Sequence, residues 1–279
     1  MNVSRFASGI AAVFVLAASL TSPVFAQAPR YDHVLVVVME NHGLAQVVGN
    51  PSAPYITELA HQGAEFTNSH GIAHPSQPNY LALFSGSTQG IVSDSCPHSF
   101  AGDNLGAQLA AAGLSFIGYS ESMPSAGFTG CVAGSYARKH NPWVNFANVP
   151  ASANQPFSAF PADFAALPSV AFIVPNLLND MHDGSVANGD AWLKTNIDAY
   201  AQWAKTHNSL LILTFDESDY LTSSNLVPTV LVGAGIVPGT YNEPINHYNI
   251  LSTVESIFGL PGLTSAPPIV DAFSRPATP

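Results

Sequence analysis

Positive charge is what this 279-residue chain has least of: seven Lys and Arg stand against eighteen Asp and Glu, a formal net charge of −11. Binding to nucleic acid rests on neutralising phosphates with Lys and Arg, so no nucleic-acid partner is expected. Adhesion to an anionic membrane by charge is disfavoured on the same ground. Cysteine is nearly absent too. Cys96 and Cys131 are the only pair, too few and too far apart for a zinc cluster. Internal repeats are lacking. Past residue 26 no run is apolar enough to cross a bilayer, so the mature chain should hold no integral membrane segment. What the chain has is apolar mass: 47% of residues are hydrophobic and 9% charged. That excludes a disordered polymer and allows one large domain with a sizeable core.

Residues 1–26 have the pattern of a secretory signal peptide. Arg5 supplies the positive start, residues 10–20 the apolar stretch, and Val24-Phe25-Ala26 a small-x-small-like cleavage site before Gln27. Cleavage near Ala26 would leave a single domain, residues 27–279, that is secreted or periplasmic. In such an oxidising compartment Cys96 and Cys131 are expected to form a disulfide.

Apolar runs alternate with helical patterns through the rest. Residues 33–39, 114–119, 170–174, 210–215 and 227–233 read as strands buried on both faces. Residues 55–62, 79–84, 104–112, 190–205 and 249–258 read as helices, the fourth of these long and amphipathic. The class is α/β: a doubly wound, mostly parallel sheet with helices on both faces. Residues 134–167 are rich in Pro, Asn and Ala and weakly periodic, and are expected to form a loop-rich insertion over one end of the sheet. Its Trp143, Phe146, Phe157 and Phe160 could face a lipid or belong to the core.

In open parallel sheets, ligands bind at the carboxyl ends of strands. Three strands here end in polar groups: Glu40-Asn41-His42, Asn176 with Asp180 close behind, and Asp216-Glu217. Any one of these could simply support a helix start. Several carboxylates at one sheet edge repel unless a cation lies between them, and oxygen-rich clusters suit divalent metals. Ser76, flanked by Pro75 and Pro78, should sit near a helix N-terminus, where it is either a cap or part of an anion site. Its surroundings are not Gly-x-Ser-x-Gly, so an α/β-hydrolase elbow is unsupported. Arg138-Lys139-His140 puts two cations beside a histidine in a chain with few. They could hold a phosphate or form a solvated surface pair. Asp180 and His182 share one loop, and His247 precedes the last helix; metal or phosphate contact is open to each.

Six strings in order carry a resemblance: VVVMENHG (36–43), HPSQPNYLALFSG (74–86), ARKHNPWVNF (137–146), FIVPNLLNDMHDGS (172–185), LTFDESD (213–219) and NHYNILSTVESIFGLPGL (246–263). Together they resemble the phosphoesterase family of secreted bacterial and fungal acid phosphatases and non-specific phospholipases C, over nearly the whole mature chain. The resemblance implies an alkaline phosphatase-like fold and a divalent cation (Ca, Mg, Mn or Zn). It implies Glu40, Asn41, Asp216 and Glu217 as metal ligands, with Ser76 as nucleophile and further ligand. Asp180, His182 and His247 fall where related enzymes hold a second metal, although Asn176 stands where Asp is expected. Those three could instead contact the phosphoryl group, with His182 or His247 as proton donor. Asn79, Arg138, Lys139 and His140 are the implied phosphate contacts. The implied reaction is hydrolysis of a small phosphate monoester through a phosphoseryl intermediate. The alternatives are a phospholipase C acting on phospholipid head groups, an exported phosphate- or metal-binding protein without turnover, and, more weakly, a metal-independent serine hydrolase.

Overall fold

A computed structural model describes Met1 and residues 28–221 and 224–274. The signal-peptide reading lies outside the described residues. Seven residues, His33–Met39, form the central strand β1; the six after His33 are apolar and buried. Seven further strands complete one sheet: β2 (Ala64–Phe66), β3 (Phe116–Ser120), β4 (Asn154–Pro156), β5 (Val170–Val174), β6 (Ser209–Phe215), β7 (Thr229–Gly233) and β8 (Gly239–Tyr241). Their spatial order is β8-β2-β7-β6-β1-β5-β3-β4. β1 pairs in parallel with β5 and β6, and β3 in parallel with β5 and β4. Of the five strands read from the sequence, the one near residues 227–233 departs from the parallel pattern. β7 runs antiparallel to both β6 and β2.

Strand residues alternate between two cores. Val34, Val36 and Val38 face α3 (Ser76–Ser85), α4 (Leu105–Ala111) and α7 (His247–Phe258). Leu35, Val37 and Met39 face α1 (Leu44–Val47), α2 (Pro54–Gln62), α5 (Val186–Asn196) and α6 (Asp198–Ala204). Period-two alternation with both faces covered gives the continuous apolar run seen in the sequence. The expected helix over 190–205 is two helices joined at Ile197. Just before that joint, the Thr195 hydroxyl and Asn196 amide donate to the carbonyls of Ala191 and Trp192, a back-bonding that bends helices.

Residues 134–167 carry 3-10 turns and also the edge strand β4, so the segment is partly built into the sheet. Trp143 and Phe146 are buried in the first core, while Phe157 and Phe160 are half-buried and pack against the second. Gly118 in β3 is required by this packing: a Cβ there would lie 2.2 Å from the Trp143 ring. Among the described residues no helix is long and apolar enough to cross a membrane. Cys96 and Cys131 are joined, with Cα atoms 5.9 Å apart.

Two stability measurements test this description. Replacing both cysteines by serine should lower stability by roughly 3–4 kcal/mol, read as a lowered urea midpoint with a steeper slope, since the unfolded chain without its cross-link exposes more surface. A loss below about 1 kcal/mol would mean that the loop is held without the bond. Glu255 on α7 is buried, and burial raises its carboxyl to about 7 from 4.5. A folded pKa above the unfolded one favours the protonated, folded form. That contribution is full below about pH 4.5 and is lost as pH rises through about 7. Glu255→Gln should remove part of the fall in Tm across this window. Parallel Tm–pH curves for the two proteins would sink the assignment.

Candidate active site

The ends of β1 and β6 lie side by side and deliver the acidic cluster. Asp216 N–H donates to the Met39 carbonyl at 2.9 Å, which locks the two strand ends together. Asn41 takes a left-handed backbone, φ 55°, a conformation Asn tolerates better than most residues. The chain turns there, and the Asn41 N–H donates to Asp216 Oδ1 at 3.2 Å. Glu40 is 0% exposed, and Asp216 and Glu217 are 1% exposed.

Ser76 is the first residue of α3, and Pro75 holds the N-cap position with no side-chain cap bond. The cap reading of Ser76 is therefore corrected. Its Oγ lies 3.0 Å from Glu40 Oε2 and 3.2 Å from Glu217 Oε1. One hydroxyl proton cannot serve both carboxylates at once. Tyr80, one turn along the same helix, donates to Glu40 Oε1 at 2.7 Å. His74 Nδ1 meets Glu217 Oε2 at 2.6 Å. His140 stacks on Tyr80 and lies between Glu40 Oε1 at 3.1 Å and Asp180 Oδ2 at 3.3 Å.

Burial and mutual repulsion govern the charges. Burial, then the neighbouring Asp216, raises the Glu40 carboxyl well above the usual range. Burial, then Glu217, does the same to Asp216. Glu217 is pushed up to about 8 by burial and then Glu40, and Asp180 to about 7 by burial. Such a group either holds protons near neutrality or holds a cation. Buried Asn41 Oδ1, Asp216 Oδ2 and Asp180 Oδ2 have no hydrogen-bond partner. These oxygens, with Glu40 and Glu217, make a donor set suited to a hard divalent ion. Among the described residues, no three His, Cys, Asp or Glu side chains already form a metal site. Glu40 and Glu217 meet at the Ser76 hydroxyl instead.

The remaining expected residues divide. Asp180 and His140 join the cluster. Lys139 donates to Asp94 Oδ2 at 2.8 Å and to His182 Nε2 at 3.2 Å, near the mouth. His182 Nδ1 meets Asp183 at 2.7 Å. His247 is buried behind the acids, its Nε2 donating to the Asp216 carbonyl, and burial lowers its pKa to about 4. That place is wrong for donating a proton to a leaving group. Arg138 does not face the cluster. It is 7% exposed and donates to the carbonyls of Thr129, His98 and Val144 and to Asn145 Oδ1. Asn79 is spent on the turn before α3, accepting from Ile72 and Ala73 N–H and donating to the Ala73 and Pro75 carbonyls. Asn176 forms a turn and bonds Ser122, outside the cluster. Sequence reasoning missed His74, Tyr80 and Asp94. Tyr80 was discoverable as the i+4 neighbour of Ser76. Asp94 had no local signal.

A model of the Phosphoesterase family matches residues 49–261. A phosphatidylinositol-3-phosphatase of Mycobacterium tuberculosis is 50% identical over 96% of this chain and 95% of its own length. An acid phosphatase of Aspergillus fumigatus is 33% identical over 74% of the chain, and a phosphate-repressible acid phosphatase of Penicillium chrysogenum 34% over 75%. The chain spans 50% and 55% of those two fungal proteins. Among solved structures, an alkaline phosphatase superfamily protein from Vibrio parahaemolyticus is similar in fold, with TM-score 0.61 and 13% identity over 87% of this chain and 71% of its own. A phosphonate monoester hydrolase of Agrobacterium radiobacter has TM-score 0.59 and 13% identity over 88% and 78%.

The place of Arg138 gives a test. Arg138→Lys exchanges a five-donor fork for one ammonium and strands buried acceptors, so stability should fall by about 2–4 kcal/mol. KM for a phosphate ester should change little. A large rise in KM with unchanged melting would return Arg138 to the phosphate site.

Proposed function

The chain belongs to the Phosphoesterase family and is a phosphoric ester hydrolase; we propose that it is a divalent-metal-dependent phosphomonoesterase acting outside the cytoplasm through a phosphoseryl intermediate. The observation that carries this reading is the Ser76 hydroxyl, held at the start of α3 between Glu40 and Glu217. A binding protein has no use for a nucleophile in that position. The exported location rests on the pattern of residues 1–26 and fits the joined Cys96 and Cys131.

Glu40, Asn41, Asp216 and Glu217, with Ser76 Oγ, are the residues that would hold the cation. When bound, it would supply the positive charge that lowers the serine pKa and offsets phosphoryl charge. The residues supply the rest. Ser76 Oγ attacks phosphorus, its proton passes to a neighbouring carboxylate, and the bond to the leaving oxygen breaks. His182 is the candidate donor to that oxygen in its doubly protonated form, with the Nε2–H turned from Lys139 to the leaving oxygen. The Lys139 ammonium lies against the developing negative charge on the phosphoryl oxygens. His140 and Tyr80 fix the orientation of Glu40. Water then attacks phosphorus and the Oγ–P bond breaks: the water's proton reloads His182, the carboxylate returns its proton to Ser76 Oγ, and inorganic phosphate leaves.

The mycobacterial relative's name points to a monoester on an inositol lipid head group. At 50% identity over nearly both full lengths, it favours a phosphomonoester, soluble or lipid-borne, over the phosphodiester of a phospholipase C.

Ser76→Ala should fold normally and lose at least ~1,000-fold in turnover, as expected for one member of a unit that acts together. Stopped wild-type reactions should carry phosphate on Ser76, read by mass spectrometry. Chelation should abolish activity, and re-addition of one of Ca, Mg, Mn or Zn should restore it. Near-normal turnover by Ser76→Ala would end the phosphoseryl mechanism. Full activity after exhaustive chelation would end the metal requirement, and a preference for phosphodiesters would reverse the substrate assignment.

A further inference from the structure

Helix α3 starts without a side-chain cap from its own N-terminus. Asp94, from the segment between α3 and α4, serves that end from outside. Its Oδ1 accepts from the Gln77 N–H at 2.9 Å, and its Oδ2 accepts from Lys139 Nζ at 2.8 Å. One carboxylate therefore grips both the residue after the nucleophile and the ammonium at the mouth of the site. An ammonium has three N–H donors. Asp94 takes one and His182 Nε2 takes another at 3.2 Å. The third has no partner among the described residues.

The Asp94 segment is braced against the Lys139 turn twice over. The disulfide begins two residues past Asp94, at Cys96, and ends at Cys131. Arg138, adjoining Lys139, donates to the His98 and Thr129 carbonyls, one near each cysteine, and its backbone N–H donates to the Cys131 carbonyl at 3.0 Å. The Asp94–Lys139 pair is part-exposed, at 29% and 17% for the two side chains. An ion pair so placed contributes little to stability. Burial opposes the Lys139 charge, yet Asp94 outweighs it and Lys139 titrates above its ordinary value.

We infer that Asp94 is a positioning residue that holds the Lys139 ammonium beside Ser76, leaving its third N–H for a phosphoryl oxygen of the bound ester. This rests on the phosphomonoesterase reading above. The physical need is plain: lysine is a flexible point charge, and charge stabilises a loose phosphoryl transition state only if it is already in place.

A double-mutant cycle tests it, with p-nitrophenyl phosphate as substrate, inorganic phosphate as the bound anion, and acetylation of Lys139 by acetic anhydride as an activity-independent readout. Asp94→Asn can still accept from Gln77, so the start of α3 should survive. Its kcat/KM should fall on the order of 10- to 100-fold, through kcat as well as KM, with phosphate binding weakened in parallel. Asp94→Glu should recover part of the loss. In a Lys139→Met background, Asp94→Asn should cost nothing further. Lys139 should be acetylated faster in Asp94→Asn than in the wild type. The inference is overturned if the two substitutions add, if Asp94→Asn binds phosphate more tightly, or if Lys139 labelling is unchanged. A wild type that hydrolyses no monoester would defeat the functional reading, while phosphate binding and labelling would still decide what Asp94 does.

Discussion

Glu40, Asp216 and Glu217 are almost wholly shielded from water and stand against one another at one end of the sheet. Each raises the cost of charging another, on top of the burial they share. Such a group is unstable as a set of bare anions, and the rest of the site reads as a response to that constraint. Tyr80, Ser76, His74 and His140 bring hydrogen-bond donors to the cluster or stand within ion-pair reach of it. A cation would satisfy the same acids more fully, and the unpartnered oxygens of Asn41, Asp180 and Asp216 are where these donors fall short.

The fold supplies the rigidity this arrangement needs. β1 and β6 are hydrogen-bonded along their full lengths, so Glu40 and Asp216 follow strand ends that cannot slide apart. α3 is buried along its whole length and packs against α7 and the turns over 138–145. Ser76 is therefore fixed by the first core rather than by its own flanking turn. A side chain held by packed elements needs no reorganisation when charge develops on a substrate. The mouth is built differently. Lys139 and His182 come from loops, and the loop of Lys139 owes its place to a disulfide and to the Arg138 fork.

Much of the centre was legible because its residues directly succeed recognisable strands. The run before Glu40 and the run before Asp216 are apolar on nearly every residue, which only a strand covered on both faces requires. The first polar residue past such a run lies at the sheet edge. Ser76 was legible as a residue near a helix start, but whether it caps or reacts depended on carboxylates 36 and 141 residues away. Arg138 and Lys139 show the limit most clearly. They are adjacent and alike in charge, yet one is buried among carbonyls and the other faces the site.

The sequence by itself determined the α/β class, the strand ends that carry the acids and a helix over 79–84 with Ser76 near its start; that the helix begins at Ser76 itself came from the structure. Local periodicity, and the points where it stops, are enough to place these. Only the tertiary structure decided that β7 runs antiparallel, that His247 lies behind the acids, and that Asp94 reaches Lys139 across 45 residues. Such contacts are set by how packed elements converge in space, and no repeat along the chain relates the residues that make them.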